Sequence, residues 1–147
     1  MTQDLKDCWQ TPPWLLALMD EFFEGQWFDP CPVNPTFDGL AVKWPEKCFI
    51  NPPFSQYLKW AEHGFVQPLE QIWICHHDSS TQRMQTLFPG AALCLLYNRV
   101  SFINPETGLP KGTDIAKSQT LIYRGNKSSR FADVFNRYGF VCEGIKP

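Results

Sequence analysis

Residues 48–55 read Cys48-Phe49-Ile50-Asn51-Pro52-Pro53-Phe54-Ser55: three apolar residues, then an amide, two prolines, an aromatic ring and a hydroxyl. Cys48-Phe49-Ile50 has the composition of a short buried strand. Two consecutive prolines withdraw their backbone donors and fix φ near about −65°, so the strand cannot continue and the carbonyls that follow are held in direction. Asn51 and the Pro52 carbonyl thereby make a rigid pair of hydrogen-bond acceptors, with the Phe54 ring beside them. Such a pair suits an exocyclic amine on a planar heterocycle, each acceptor taking one N–H while the ring stacks. Those hydrogen bonds draw the nitrogen lone pair out of conjugation, and the amine becomes a better nucleophile chiefly through positioning. As plain punctuation, Asn51-Pro52-Pro53 is a stiff loop and Phe54 a core anchor.

Outward from this motif, short apolar runs alternate with amphipathic ones. Apolar residues at 14, 15, 18, 19 and 22 share one helix face, which predicts a helix with Thr11 as N-cap, Pro12 in the first turn and Gly25 as its stop. Residues 26–28 read as a short strand that breaks off at Asp29-Pro30-Cys31, and 33–46 as loop. Helices are predicted over 55–66, 81–88 and 131–138, and strands over 72–75, 92–97, 120–123 and 140–142. Polar residues 104–117, interrupted by Pro105, Gly108, Pro110 and Gly112, read as a mobile loop. His76-His77-Asp78 reads as exposed loop at a strand end, since adjacent histidines in an extended segment point to opposite sides and ligate one metal poorly. The alternation predicts one α/β domain over residues 1–147, with a largely parallel sheet flanked by helices. In such a sheet ligands bind beyond the carboxyl ends of the strands, so Asp29-Pro30-Cys31 and Asn51–Phe54 would face one crevice. Asp29 also reads as a simple turn residue.

Composition sets the outer limits. A chain of 147 residues with 44% hydrophobic and 19% charged residues is a folded single domain rather than a disordered segment. Neither a signal-peptide pattern at the N-terminus nor an apolar run of membrane length is present, which predicts a cytoplasmic protein. The six cysteines are scattered without a C-x-x-C pair and read as reduced core thiols rather than disulfides or a zinc site. The net charge of −2 excludes a strongly basic nucleic-acid coat protein. Its distribution is uneven: residues 1–110 carry six Lys/Arg against twelve Asp/Glu, net −6, and residues 111–147 carry seven against three, net +4. A basic C-terminal quarter suits a phosphate backbone, or is simply a solvated face.

Asn51-Pro52-Pro53-Phe54 after an apolar strand resembles the catalytic motif of S-adenosylmethionine-dependent amino-group methyltransferases. Trp9-Gln10-Thr11-Pro12 before an amphipathic helix resembles their Thr-Pro motif, and Phe28-Asp29-Pro30-Cys31 their cofactor motif. With Asp38-Gly39-Leu40, Trp44, Arg99-Val100-Ser101-Phe102 and Ser118-Gln119-Thr120-Leu121-Ile122, the order is similar to the small phage-type DNA N6-adenine methyltransferases over roughly residues 9–142. The resemblance implies a single trimmed methyltransferase-like, Rossmann-like domain and methyl transfer from S-adenosylmethionine to adenine N6 in DNA. It further implies that Asn51, Pro52, Pro53 and Phe54 hold the target base, and that Thr11, Pro12, Asp29, Pro30, Cys31 and Asp38 line the cofactor. Ser55, Arg99, Lys111 and Lys117 would contact the substrate, no metal is required, and a phage-encoded enzyme would act in the host cytoplasm, with a homodimer as one possible assembly. A base inside a duplex has to be flipped out, or taken from a single strand. The same residues leave open a catalytically silent DNA-binding protein, or an amino-methyltransferase of RNA or protein glutamine.

Overall fold

Pro13 opens the first helix, α1 (Pro13–Phe23), at a position where a backbone N–H has no intrahelical partner to lose. Leu15, Leu18, Met19, Phe22 and Phe23 form its buried face, and Glu24, in the left-handed region at φ 54°, ends it by donating its N–H to the Asp20 carbonyl. The computed structural model describes residues 9–68, 70–110 and 118–144 of the chain. After α1 come β1 (Cys48–Ile50), a short 3-10 turn (Phe54–Gln56), α2 (Tyr57–Phe65), β2 (Gln71–His76), α3 (Gln82–Leu87), β3 (Ala92–Leu96), β4 (Gln119–Arg124), α4 (Ser128–Phe135) and β5 (Gly139–Cys142).

The five strands form one mixed sheet in the order β1-β2-β4-β3-β5. Helices cover both faces. Along β2, Ile72 and Ile74 pack with α1 and α4, while Trp73 and Cys75 pack with α2, α3 and Trp44, the period-two alternation of a strand buried on both sides. The fit against the second face is close at Gly64 in α2, where an added Cβ would overlap the Trp73 indole.

The sheet is not largely parallel, as the sequence suggests. Only β1 and β2 pair in parallel; β4 runs antiparallel to both β2 and β3, and β5 antiparallel to β3. Alternation of strands and helices indicates parallel pairing only where a helix makes the crossover. Among the described residues the connection from β3 to β4 contains no helix, and antiparallel neighbours need none. Smaller differences accompany this one, among them α4, which spans Ser128–Phe135 rather than 131–138. Residues 26–28 form no strand, only a single parallel bridge from Phe28 to Cys48, and His76 is the last residue of β2 rather than loop. Residues 104–110 close into an ordered turn, with Asn104 accepting the Gly108 N–H at 2.8 Å and donating its own to Leu109 at 2.9 Å. Residues 111–117 lie outside the described residues.

Cys48, Cys75 and Cys94 are buried free thiols, Cys31 is half-buried and Cys142 is exposed rather than part of the core. Among the described residues no helix is long and apolar enough to cross a membrane, and no cluster of His, Cys, Asp and Glu is arranged to hold a metal ion.

Candidate functional site

The strand directions gather the motifs. The pairings His76 with Gln119 and Leu95 with Thr120 bring the start of β4 and the end of β3 to the same sheet edge as the ends of β1 and β2. On the far side of β1, Phe28 donates to the Lys47 carbonyl at 2.8 Å and accepts from the Phe49 N–H at 3.0 Å. Asp29 and Asn51 therefore leave two adjacent parallel segments at one edge, the crevice position of open α/β sheets.

Asn51 is held by its nitrogen. Its Nδ2 donates to the Trp9 carbonyl at 3.2 Å and to Thr11 Oγ1 at 3.1 Å, which turns Oδ1 the other way and leaves it without a partner among the described residues. Thr11 is thus not the N-cap of α1. That position is Pro12, with no side-chain cap, and the Thr11 hydroxyl serves Asn51 instead. Paired backbone bonds of 2.9 Å between Gln10 and Ile103 fix this N-terminal segment in place. Pro52 and Pro53 are buried. The Pro53 carbonyl accepts the Gln56 N–H at 3.1 Å to close the 3-10 turn.

Phe54 is not a core anchor: its residue is 42% exposed. Its ring meets His76 edge to face at 4.4 Å, and the Arg83 guanidinium lies 5.1 Å from its centroid. The Gln119 side-chain nitrogen lies 2.7 Å from His76 Nδ1 and fixes the imidazole in orientation. His77 points elsewhere, with Nδ1 at 2.7 Å from Thr120 Oγ1, as alternation along an extended chain requires.

Asp29 carries the electrostatic signature of the site. Burial raises its carboxyl from 3.8 to about 6, opposed by the hydrogen bond that Cys31 N–H donates to Oδ1 at 2.9 Å. Burial and, secondarily, the negative Asp29 push the Cys48 thiol to about 12. Pro30 is buried beneath Gly39, where an added Cβ would overlap the Pro30 carbonyl oxygen. Gly39 fits against Pro30 and the Trp60 ring only because it has no Cβ. Its neighbour Asp38 accepts the Leu40 N–H on Oδ1 at 2.9 Å, and the Gly39 carbonyl accepts Trp44 Nε1–H at 2.8 Å. Asp38 thereby caps the turn that sets Gly39 against Pro30, with its side chain at the surface.

Of the expected substrate contacts, Ser55 is exposed in the 3-10 turn and Arg99 is exposed on the segment from β3 towards Ile103. Lys111 and Lys117 lie outside the described residues. Arg83 has no place in the sequence motifs, yet it lies over both Phe54 and, at 5.8 Å, Tyr57. It sits on a helix whose distance from Asn51 along the chain leaves no local signal.

No protein-family model matches the chain, and no curated protein or solved structure matches it either. Geometry and chemistry therefore carry the functional reading.

Proposed function

We propose that this protein transfers a methyl group from S-adenosylmethionine to adenine N6 in DNA, on a trimmed methyltransferase-like sheet. The observation that carries the proposal is the orientation of Asn51. With both its N–H bonds engaged by Trp9 and Thr11, its Oδ1 is presented as an acceptor at the end of β1, beside the Pro52 carbonyl and an exposed Phe54 ring. That arrangement selects an NH2 donor on a flat ring and rejects a carbonyl at the same place.

The residues also fit the cofactor. A carboxylate kept half-buried at Asp29, at a cost in stability, suits a cationic ligand, and S-adenosylmethionine bears a sulfonium and an ammonium. Asp29, Pro30 and Cys31 would hold its methionine end, and Thr11 and Pro12 lie next to them through Asn51. Asp38, with one carboxylate oxygen used in its own turn, would face the adenosine portion. When bound, the cofactor supplies an electrophilic methyl group. The chain supplies the rest: Phe54 stacks on the base, Asn51 Oδ1 and the Pro52 carbonyl each accept one amine N–H, and the nitrogen lone pair is concentrated where attack occurs. The amine proton becomes acidic only after attack and leaves to solvent, so no strongly basic side chain is needed. The mixed sheet with helices on both faces, and the way Asp29 and Asn51 leave adjacent parallel segments at one sheet edge, support this reading.

Isothermal titration of the protein with S-adenosylmethionine tests the cofactor half. Saturable binding that weakens in Asp29→Ala is expected; no binding by a folded sample overturns it.

A further inference from the structure

The site edge continues past β4 into a row of rings that the methyl-transfer reading does not use. Tyr97 follows the last residue of β3, Tyr138 precedes β5, Phe140 lies in β5, and Trp14 stands in the first turn of α1, just beyond Thr11. Trp14 stacks on Tyr138 with centroids 6.0 Å and planes 24° apart, and Tyr97 meets Phe140 edge to face at 4.8 Å. The Tyr97 N–H donates to the Tyr138 carbonyl at 2.9 Å, which joins the two pairs. Trp14, Tyr97 and Phe140 are 43%, 53% and 65% exposed. The Arg137 guanidinium lies 5.4 Å from the Tyr138 ring, and Arg99 is exposed just beyond Tyr97. Apolar residues scattered singly over a surface are ordinary, but paired exposed rings with guanidinium groups at the sheet edge that carries Asn51 suit a binding surface.

We propose that this row is a stacking track for a single-stranded nucleic acid whose target base enters the site at Asn51–Phe54, an inference that rests on reading that site as base-binding. Every base has a π-face, so exposed rings hold successive bases without regard to sequence, and arginines add cation–π and phosphate contacts. The track is continuous with the site. The chain leaving Tyr97 passes Arg99 and returns to Gln10 through the Ile103 bridge, next to the Thr11 that holds Asn51. From β1 to β5 the edge spans four strand spacings, roughly 20 Å, room for several nucleotides. The cations beside the rings are Arg99 and Arg137, the latter also 3.9 Å from Glu21, and both are of the sign a phosphate backbone requires. A single-stranded substrate also removes the need to unpair the target base.

The test is fluorescence anisotropy of the full chain with a labelled single strand of about 12 nucleotides and with the matching duplex. The variant is Tyr97→Ser/Phe140→Ser, at two exposed positions, checked for an unchanged thermal midpoint and for oligomeric state by sedimentation. The wild type should bind the single strand at least tenfold more tightly than the duplex. The double variant should lose at least tenfold of that affinity. Equal or tighter duplex binding, or a double variant that binds like the wild type, overturns the track. So does a double variant that merely turns a dimer into a monomer, which would assign the row to self-association. Methyl transfer to duplex at an unchanged rate in the double variant would sink the track and leave the base site standing. Ring-dependent strand binding without transfer by any protein would do the reverse.

Discussion

Replacing Asp29 with asparagine separates the two roles its geometry combines. The amide oxygen of Asn accepts the Cys31 N–H as the carboxylate does, so the turn survives while the buried charge is removed. Burial raises the Asp29 carboxyl from 3.8 to about 6, so the folded protein binds this proton more tightly than the unfolded chain does. Below pH 3.8 the group is protonated in both states and costs nothing; as pH rises through the window from 3.8 to about 6, the folded state loses stability. Above that window the cost reaches at most roughly 3 kcal/mol, and it is present in full at neutral pH. Asp29→Asn should therefore match the wild type near pH 3.5 and exceed it by about 1–3 kcal/mol at pH 7.5, in urea unfolding at a series of pH values. The same variant should bind S-adenosylmethionine more weakly, because the desolvated anion that complements its positive charge is gone. A stability difference that does not change with pH, or a variant less stable than the wild type at pH 7.5, would refute the reasoning.

Two further substitutions probe the surroundings of the site. Thr11→Val removes one of the two acceptors that orient the Asn51 amide; a stability loss of about 1 kcal/mol in denaturant unfolding should accompany a roughly tenfold fall in methyl-transfer rate. Gly39→Ala drives a Cβ into the Pro30 carbonyl and the Trp60 ring, and should cost about 1–3 kcal/mol by thermal unfolding while weakening cofactor binding through displacement of Asp29–Cys31.

Much of the fold was legible because it is local. The apolar spacing at Leu15, Leu18, Met19 and Phe22 marks α1, and the runs at 72–75 and 120–123 mark β2 and β4, each within a residue or so of its ends. The reversal of β4 was not legible, since strand direction depends on which strands pair and no residue in Thr120-Leu121-Ile122-Tyr123 encodes a partner. At the site, Asn51–Phe54 and Asp29 stand out through composition, whereas their supports are nonlocal. Thr11 has every local feature of a helix cap and instead bonds a side chain 40 positions away. The Trp9 carbonyl offers no sequence signal at all, and Arg83 reaches Phe54 only because α3 packs against α2.

Activation of an adenine amine by Asn51 is the step on which the proposed methyl transfer rests. Its most direct test is incubation of the protein with S-adenosylmethionine carrying a labelled methyl group and with DNA, followed by digestion and mass spectrometry of the nucleosides. The account predicts labelled N6-methyladenine from the wild type and none from Asn51→Ala that still binds the cofactor. Equal product from both proteins, or no methylated adenine from a wild type that binds cofactor and DNA, would contradict it.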